Sequence, residues 1–277
     1  MDQILKEVRK ARRIVVKVGT STLTYETGKL NLKRIECLVR VLSDLKNRDK
    51  KVILVTSGAI GVGVGKMGLE QKPKTIRGKQ AAAAVGQCEL MHLYDKFFSE
   101  YNHTVAQILL TKDVVEVTQR RQNAVNTFDM LLKMGVIPIV NENDTVAIEE
   151  IACTFGENDT LSAIVSELIG ADLLVNLSDI KGLYEADPKS NPDAKLIPVV
   201  PEITDRIRNL AGGAGSARGT GGMCSKISAA EIACNAGVNM IIASGEDPSI
   251  LYDIVDGKQV GTLFLKKGQK IRNRMNN

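Results

Sequence analysis

The sequence predicts an α/β protein, a three-layer α/β/α sandwich around a mainly parallel sheet. Three observations carry this. Short apolar runs rich in β-branched residues recur along the chain, and they are continuous rather than alternating, as strands covered on both faces must be. Longer segments with apolar residues at helical spacing lie between them. Directly after several runs come Gly-rich or polar segments, the positions at which open parallel sheets hold ligands.

Taken in order, residues 13–19 (RIVVKVG) read as a buried strand. Asn31 offers a helix cap, with Leu32, Ile35, Leu38, Val39, Leu42 and Leu45 at helical spacing behind it. Residues 51–57 (KVILVTS) form a second strand, 79–98 a helix and 104–111 a third strand. A helix over about 119–134 ends at Gly135, a residue suited to a left-handed helix terminus. Strand 136–141, helix 158–169 and strand 172–178 follow. Helix 225–237 and the strands 238–244 and 261–265 close the series. No evident linker, internal repeat or low-complexity tract divides the chain, which reads as one continuous α/β/α unit over 1–265 and a tail over 266–277.

Composition narrows the function. With 277 residues, 44% of them hydrophobic, the chain can bury a core without disulfides or metals. No run approaches the length needed to span a membrane, and the N-terminal residues lack a signal peptide's apolar stretch, so a cytoplasmic protein is expected. The five cysteines include no Cys-x-x-Cys pair, and His92 and His103 lack neighbouring ligands, so no metal centre is expected from protein side chains. The net charge is +5, but the tail holds Lys266, Lys267, Lys270, Arg272 and Arg274 and no acid. Removing these five from 37 Lys and Arg leaves 32, against 32 Asp and Glu, so the body is neutral. Aromatics are 4% and Trp is absent, which leaves few stacking platforms for nucleic acid.

Five segments stand where ligands would bind: 17–22 (KVGTST), 56–65 (TSGAIGVGVG), 141–145 (NENDT), 176–188 (NLSDIKGLYEADP) and 219–226 (GTGGMCSK). The last is a Gly-rich loop running into a helix, a junction suited to phosphate, with Lys226 in its first turn; a plain surface loop uses Gly as well. Lys17 interrupts an apolar strand and calls for an anion, unless the strand lies at an edge and the side chain reaches out. Asp159 opens a helix, where an acid is favourable through the helix dipole or as a simple cap beside Asn158. Familiar nucleotide signatures fail. Gly65-Lys66 lacks the rest of a P-loop, and residues 63–68 match G-x-G-x-x-G without a strand directly before them. The protein-kinase set and the hydrolase G-x-S-x-G are absent.

In order, VVKVGTS, VTSGAIGVG, KQAAAAVGQ, IVNENDTVA, ENDTLSA, LSDIKGLYEADP and GTGGMCSKISAA resemble the amino acid kinase family, and within it the glutamate kinases. The likeness runs from about Val15 to about Phe264. It implies that ATP, with Mg²⁺, phosphorylates the γ-carboxylate of L-glutamate to L-glutamyl 5-phosphate, the first step of proline biosynthesis. Lys17 and Lys226 would meet the phosphates, with Asp159 holding both in register. Ser57, Gly58, Ala59, Asn141, Asp144 and Asn158 would line the glutamate pocket. The nucleotide would lie against Lys17, Gly19, Ser178, Asp179 and the run Thr220, Gly221, Gly222, Met223, Cys224, Ser225 and Lys226. Ser178 stands where the family often has Thr, and Cys224 where Ser is common. The resemblance further implies inhibition by L-proline, a homo-oligomer (dimer or tetramer) and a glutamyl phosphate reductase as partner. Many relatives carry a C-terminal PUA domain, which this chain is expected to lack.

Overall fold

A computed structural model describes residues 2–25, 29–111, 114, 116–146, 158–188, 190–211 and 222–269. Its eight strands form one sheet in the order β3-β4-β2-β1-β5-β7-β8-β6. They are β1 (Arg13–Val18), β2 (Lys51–Val55), β3 (Val105–Leu110), β4 (Ile137–Glu142), β5 (Leu173–Ser178), β6 (Val199–Val200), β7 (Asn239–Ser244) and β8 (Thr262–Phe264). The six strands from β3 to β7 run parallel. β8 turns back antiparallel to β7, and β6 pairs parallel with β8.

Side chains alternate across the sheet and build two apolar layers. Ile14, Val16, Leu54, Ile139 and Val175 face one, closed by α1 (Asp2–Lys10), α3 (Leu32–Asn47), α4 (Ala59–Lys66), α5 (Ile76–Ser99) and α10 (Ile250–Val255). Val15, Ile53, Val140, Leu174 and Met240 face the other, closed by α6 (Thr118–Lys133), α7 (Asn158–Leu168), α8 (Asp205–Ala211) and α9 (Met223–Asn235). The three-layer architecture is therefore the one expected. A single turn, α2 (Thr20–Leu23), follows β1.

The expected strands and long helices recur with shifted ends. Thr75 caps α5 by accepting from the Gly78 N–H at 3.2 Å, so that helix begins before residue 79. α9 likewise starts two residues early, at Met223. Among the described residues, five helices, α1, α2, α4, α8 and α10, and the two-residue β6 go beyond the sequence expectation. α4 agrees with the rejection of residues 63–68 as a nucleotide signature, since the G-x-G-x-x-G match begins inside a helix. A Cβ on Gly63 would collide with the Ala82 carbonyl, and one on Gly86 with the Ala59 carbonyl. The two glycines let α4 and α5 touch backbone to backbone, which offsets the roughly 1 kcal/mol that each glycine costs a helix.

The chain runs from β1 to β2 on one side and later returns to β5 on the other, so β1 sits where the strand order reverses. Such a reversal opens a crevice at the carboxyl ends of the strands.

Candidate active site

Lys17 lies near the carboxyl end of β1, in register with Val55 of β2 and Asn176 of β5. β1 is central, so the ammonium has no edge to escape over. Only 6% of Lys17 is exposed, and 4% of Lys226 in the first turn of α9. Both meet Asp159, which is fully buried in the first turn of α7. Lys17 Nζ stands 2.5 Å from Asp159 Oδ1, and Lys226 Nζ 3.2 Å from Oδ2. Asn176 Nδ2 donates to Oδ1 at 2.8 Å, and Ser225 Oγ to Oδ2 at 2.9 Å. Burial alone would push the carboxyl up. The charges of Lys17 and Lys226, with hydrogen bonds from Lys17 and Asn176, outweigh it and hold the pKa at about 2. Asp159 is thus a fixed anion that gathers two cations, rather than a helix cap.

The strand ends on the β2–β4 side carry a second set. Ser57 Oγ donates to the Val18 carbonyl at 3.1 Å and lies 3.3 Å from Thr20 Oγ1, which ties the β2 turn to the β1 turn. Gly58 takes a φ of +92° as the N-cap of α4 and makes no side-chain cap, and Ala59 is the first helical residue. The first N–H groups of α4 therefore open beside Ser57. Asn158 Nδ2 donates to the Thr56 carbonyl and, at 2.8 Å, to Asn141 Oδ1. Asn158 immediately precedes Asp159, so one helical turn serves both sets. Asp144 follows β4, and burial raises its carboxyl pKa while Lys72 pulls it down. Glu142 at the end of β4 is pushed up to about 7 by burial and by the charge of Asp144.

On the β5–β7 side, Ser178 Oγ donates to Asp179 Oδ1 at 2.8 Å. These two residues bond to each other rather than to Asp159. Gly222 is the N-cap of α9, Met223 is half-buried, and Cys224 is exposed, donating through Sγ to the Ala211 carbonyl at 3.3 Å. Gly19 lies beside the Lys17 ammonium, 3.7 Å from where its Cβ would be. Thr220 and Gly221 lie outside the described residues.

Four residues at the site were missed from sequence. Asn176 carried the same signal as Lys17, a polar side chain within an apolar strand. Thr20 follows a strand directly. Gln87 and Glu142 sit in the quoted segments KQAAAAVGQ and NENDT, with nothing in their spacing to single them out. No three His, Cys, Asp or Glu side chains converge among the described residues.

The amino acid kinase family model matches residues 12–244. The chain is 60% identical over 267 residues to a glutamate 5-kinase of Clostridium perfringens, covering 95% of this chain and 99% of that one. It is 58% identical to a glutamate 5-kinase of Clostridium tetani (95% and 96% covered) and 52% identical to one of Listeria innocua (96% and 97%). Among solved structures, an isopentenyl phosphate kinase of T. acidophilum superposes with a TM-score of 0.60 at 19% identity, covering 91% of this chain and 99% of that one. A UMP kinase of Bacillus anthracis gives 0.60 at 14%, with 95% and 99% covered. At such identities these two speak for the fold alone.

Proposed function

The chain belongs to the amino acid kinase family, and from its likeness to the glutamate 5-kinases we infer that it transfers the γ-phosphoryl group of ATP to the γ-carboxylate of L-glutamate. The products are L-glutamyl 5-phosphate and ADP, and the reaction opens proline biosynthesis. The observation that carries this reading is the pair Lys17 and Lys226 held on one buried carboxylate at the strand-order reversal.

The attacking group is a carboxylate, ionised at neutral pH, so no general base is required. One carboxylate oxygen forms a bond to the γ-phosphorus while the bond to the bridging oxygen breaks, and ADP leaves with that electron pair. The obstacle is repulsion between an anion and a polyanion, and positioned positive charge removes it. An ammonium has three donors, so Lys17's pairing with Asp159 leaves it able to meet a phosphoryl oxygen. Lys226 approaches from the nucleotide side. Asp159 sets their positions and takes no proton. Ser57 to Ala59, with the opening N–H groups of α4, would receive the reacting end of glutamate. Asp144 would hold its amino group, with Asn141 and Asn158 beside it. Ser178, Asp179 and the start of α9 would border ATP.

Both oxygens of Asp159 are occupied by two ammoniums, an amide and a hydroxyl, which does not suit a metal ligand. Mg²⁺ is accordingly assigned to the nucleotide, as part of the substrate.

ADP release measured with L-glutamate, N-acetylglutamate, aspartate and UMP as acceptors tests the reading. Activity with glutamate, reduced by added L-proline, is expected. Turnover of another acceptor in its place would overturn it.

A further inference from the structure

We propose that Gln87 is a positioning residue for the acceptor pocket, acting through Asn141; this rests on the glutamate reading above. Gln87 lies on α5, on the opposite face of the sheet from α7, and is 7% exposed. Its Oε1 accepts from Asn141 Nδ2 at 2.9 Å. The sense of that bond is not interchangeable. Asn141 Oδ1 accepts from the backbone N–H of Glu142 at 2.9 Å, and a backbone N–H can only donate. Asn141 must therefore turn its NH₂ toward Gln87. At the far end, the Thr56 carbonyl can only accept, so Asn158 must turn its NH₂ toward Thr56 and Asn141. Asn158 Oδ1 is then the atom left to meet a donor such as an ammonium.

These amides form one directed chain across the carboxyl edge of the sheet, from α5 to the first turn of α7. Gln87 supplies its terminal acceptor. Without it, the Asn141 amide is held on one side only.

Stability gives no net reason for a glutamine here. Its Nε2 is buried with no hydrogen-bond partner. Leaving such a donor unmet costs more than one neutral hydrogen bond returns. An apolar side chain of the same length removes this unmet donor but leaves the buried Asn141 Nδ2 without its acceptor, so the two penalties roughly offset and stability alone gives little preference for glutamine.

The test compares Gln87→Met and Gln87→Glu with the wild type in steady-state ADP release and thermal unfolding. Gln87→Met is expected to raise the KM for glutamate roughly tenfold, with KM for ATP unchanged and Tm close to the wild-type value. Gln87→Glu keeps an acceptor oxygen toward Asn141 and is expected to hold the glutamate KM within about threefold of wild type. An unmoved glutamate KM in Gln87→Met overturns the proposal. So does a lower Tm with equal rises in both KM values, the mark of a glutamine that only supports the fold. Wild-type protein that forms no ADP with glutamate would instead overturn the functional reading, and this proposal with it.

Discussion

Charge balance around one carboxylate dominates at the scale of single residues. Lys17→Ala and Lys226→Ala are each expected to lower kcat by roughly 10²-fold or more, the usual loss when a charge-stabilising donor is removed. Near-normal turnover in either would refute its role. Asp159→Asn strands two buried ammoniums and should cost about 3–5 kcal/mol, read as a fall in Tm. The Asp159 carboxyl titrates at about 2, below its ordinary value of 3.8. Its contribution to stability is thus complete above about pH 4 and is lost as pH falls toward 2. Glu142 works the other way. Its pKa is raised from 4.5 to about 7, so the folded state holds a proton that the unfolded chain releases, and stability declines as pH rises between those values. Glu142→Gln should flatten that slope in denaturant titrations at pH 4.5 to 7. Lys17 was legible in the sequence because a charge inside an apolar strand demands a partner. Gln87 was not, because a polar residue in a helix is ordinary and its partner Asn141 is 54 positions away.

Among the elements, α4 shows where pattern and structure part. Its sequence, AIGVGVGK, has three glycines in eight residues, a composition that disfavours a helix. Tertiary contact overrides that weak propensity, because Gly63 and Gly86 are the surfaces on which α4 and α5 meet. Local periodicity could not reveal this, since the compensation comes from a different helix. Gly63→Ala or Gly86→Ala must force the backbones apart and should cost about 1–3 kcal/mol by thermal unfolding. Because α4 begins at the Ser57 to Ala59 turn, the same variants should also raise the KM for glutamate. The long helices α3 and α7 were legible because their buried residues recur with the helical period.

At the level of the whole molecule, the three layers followed from continuous apolar strands alternating with helices. The reversed edge of β8 and β6 did not, since the direction of so short a strand is set by its partners. Strand order was equally invisible, and it is the order that brings the first strand and a late helix onto one carboxylate. This has a consequence for how the protein is made. Lys17 leaves the ribosome long before Asp159 and Lys226. Until they arrive, sinking its ammonium into the middle of a sheet is unfavourable. The first strand is therefore expected to close into the core only with them, so that core closure and the gathering of the reacting charges coincide. Refolding followed by core burial and by recovered activity should give the same rate constant. Lys17→Met, inactive but free of the stranded charge, should refold faster than the wild type.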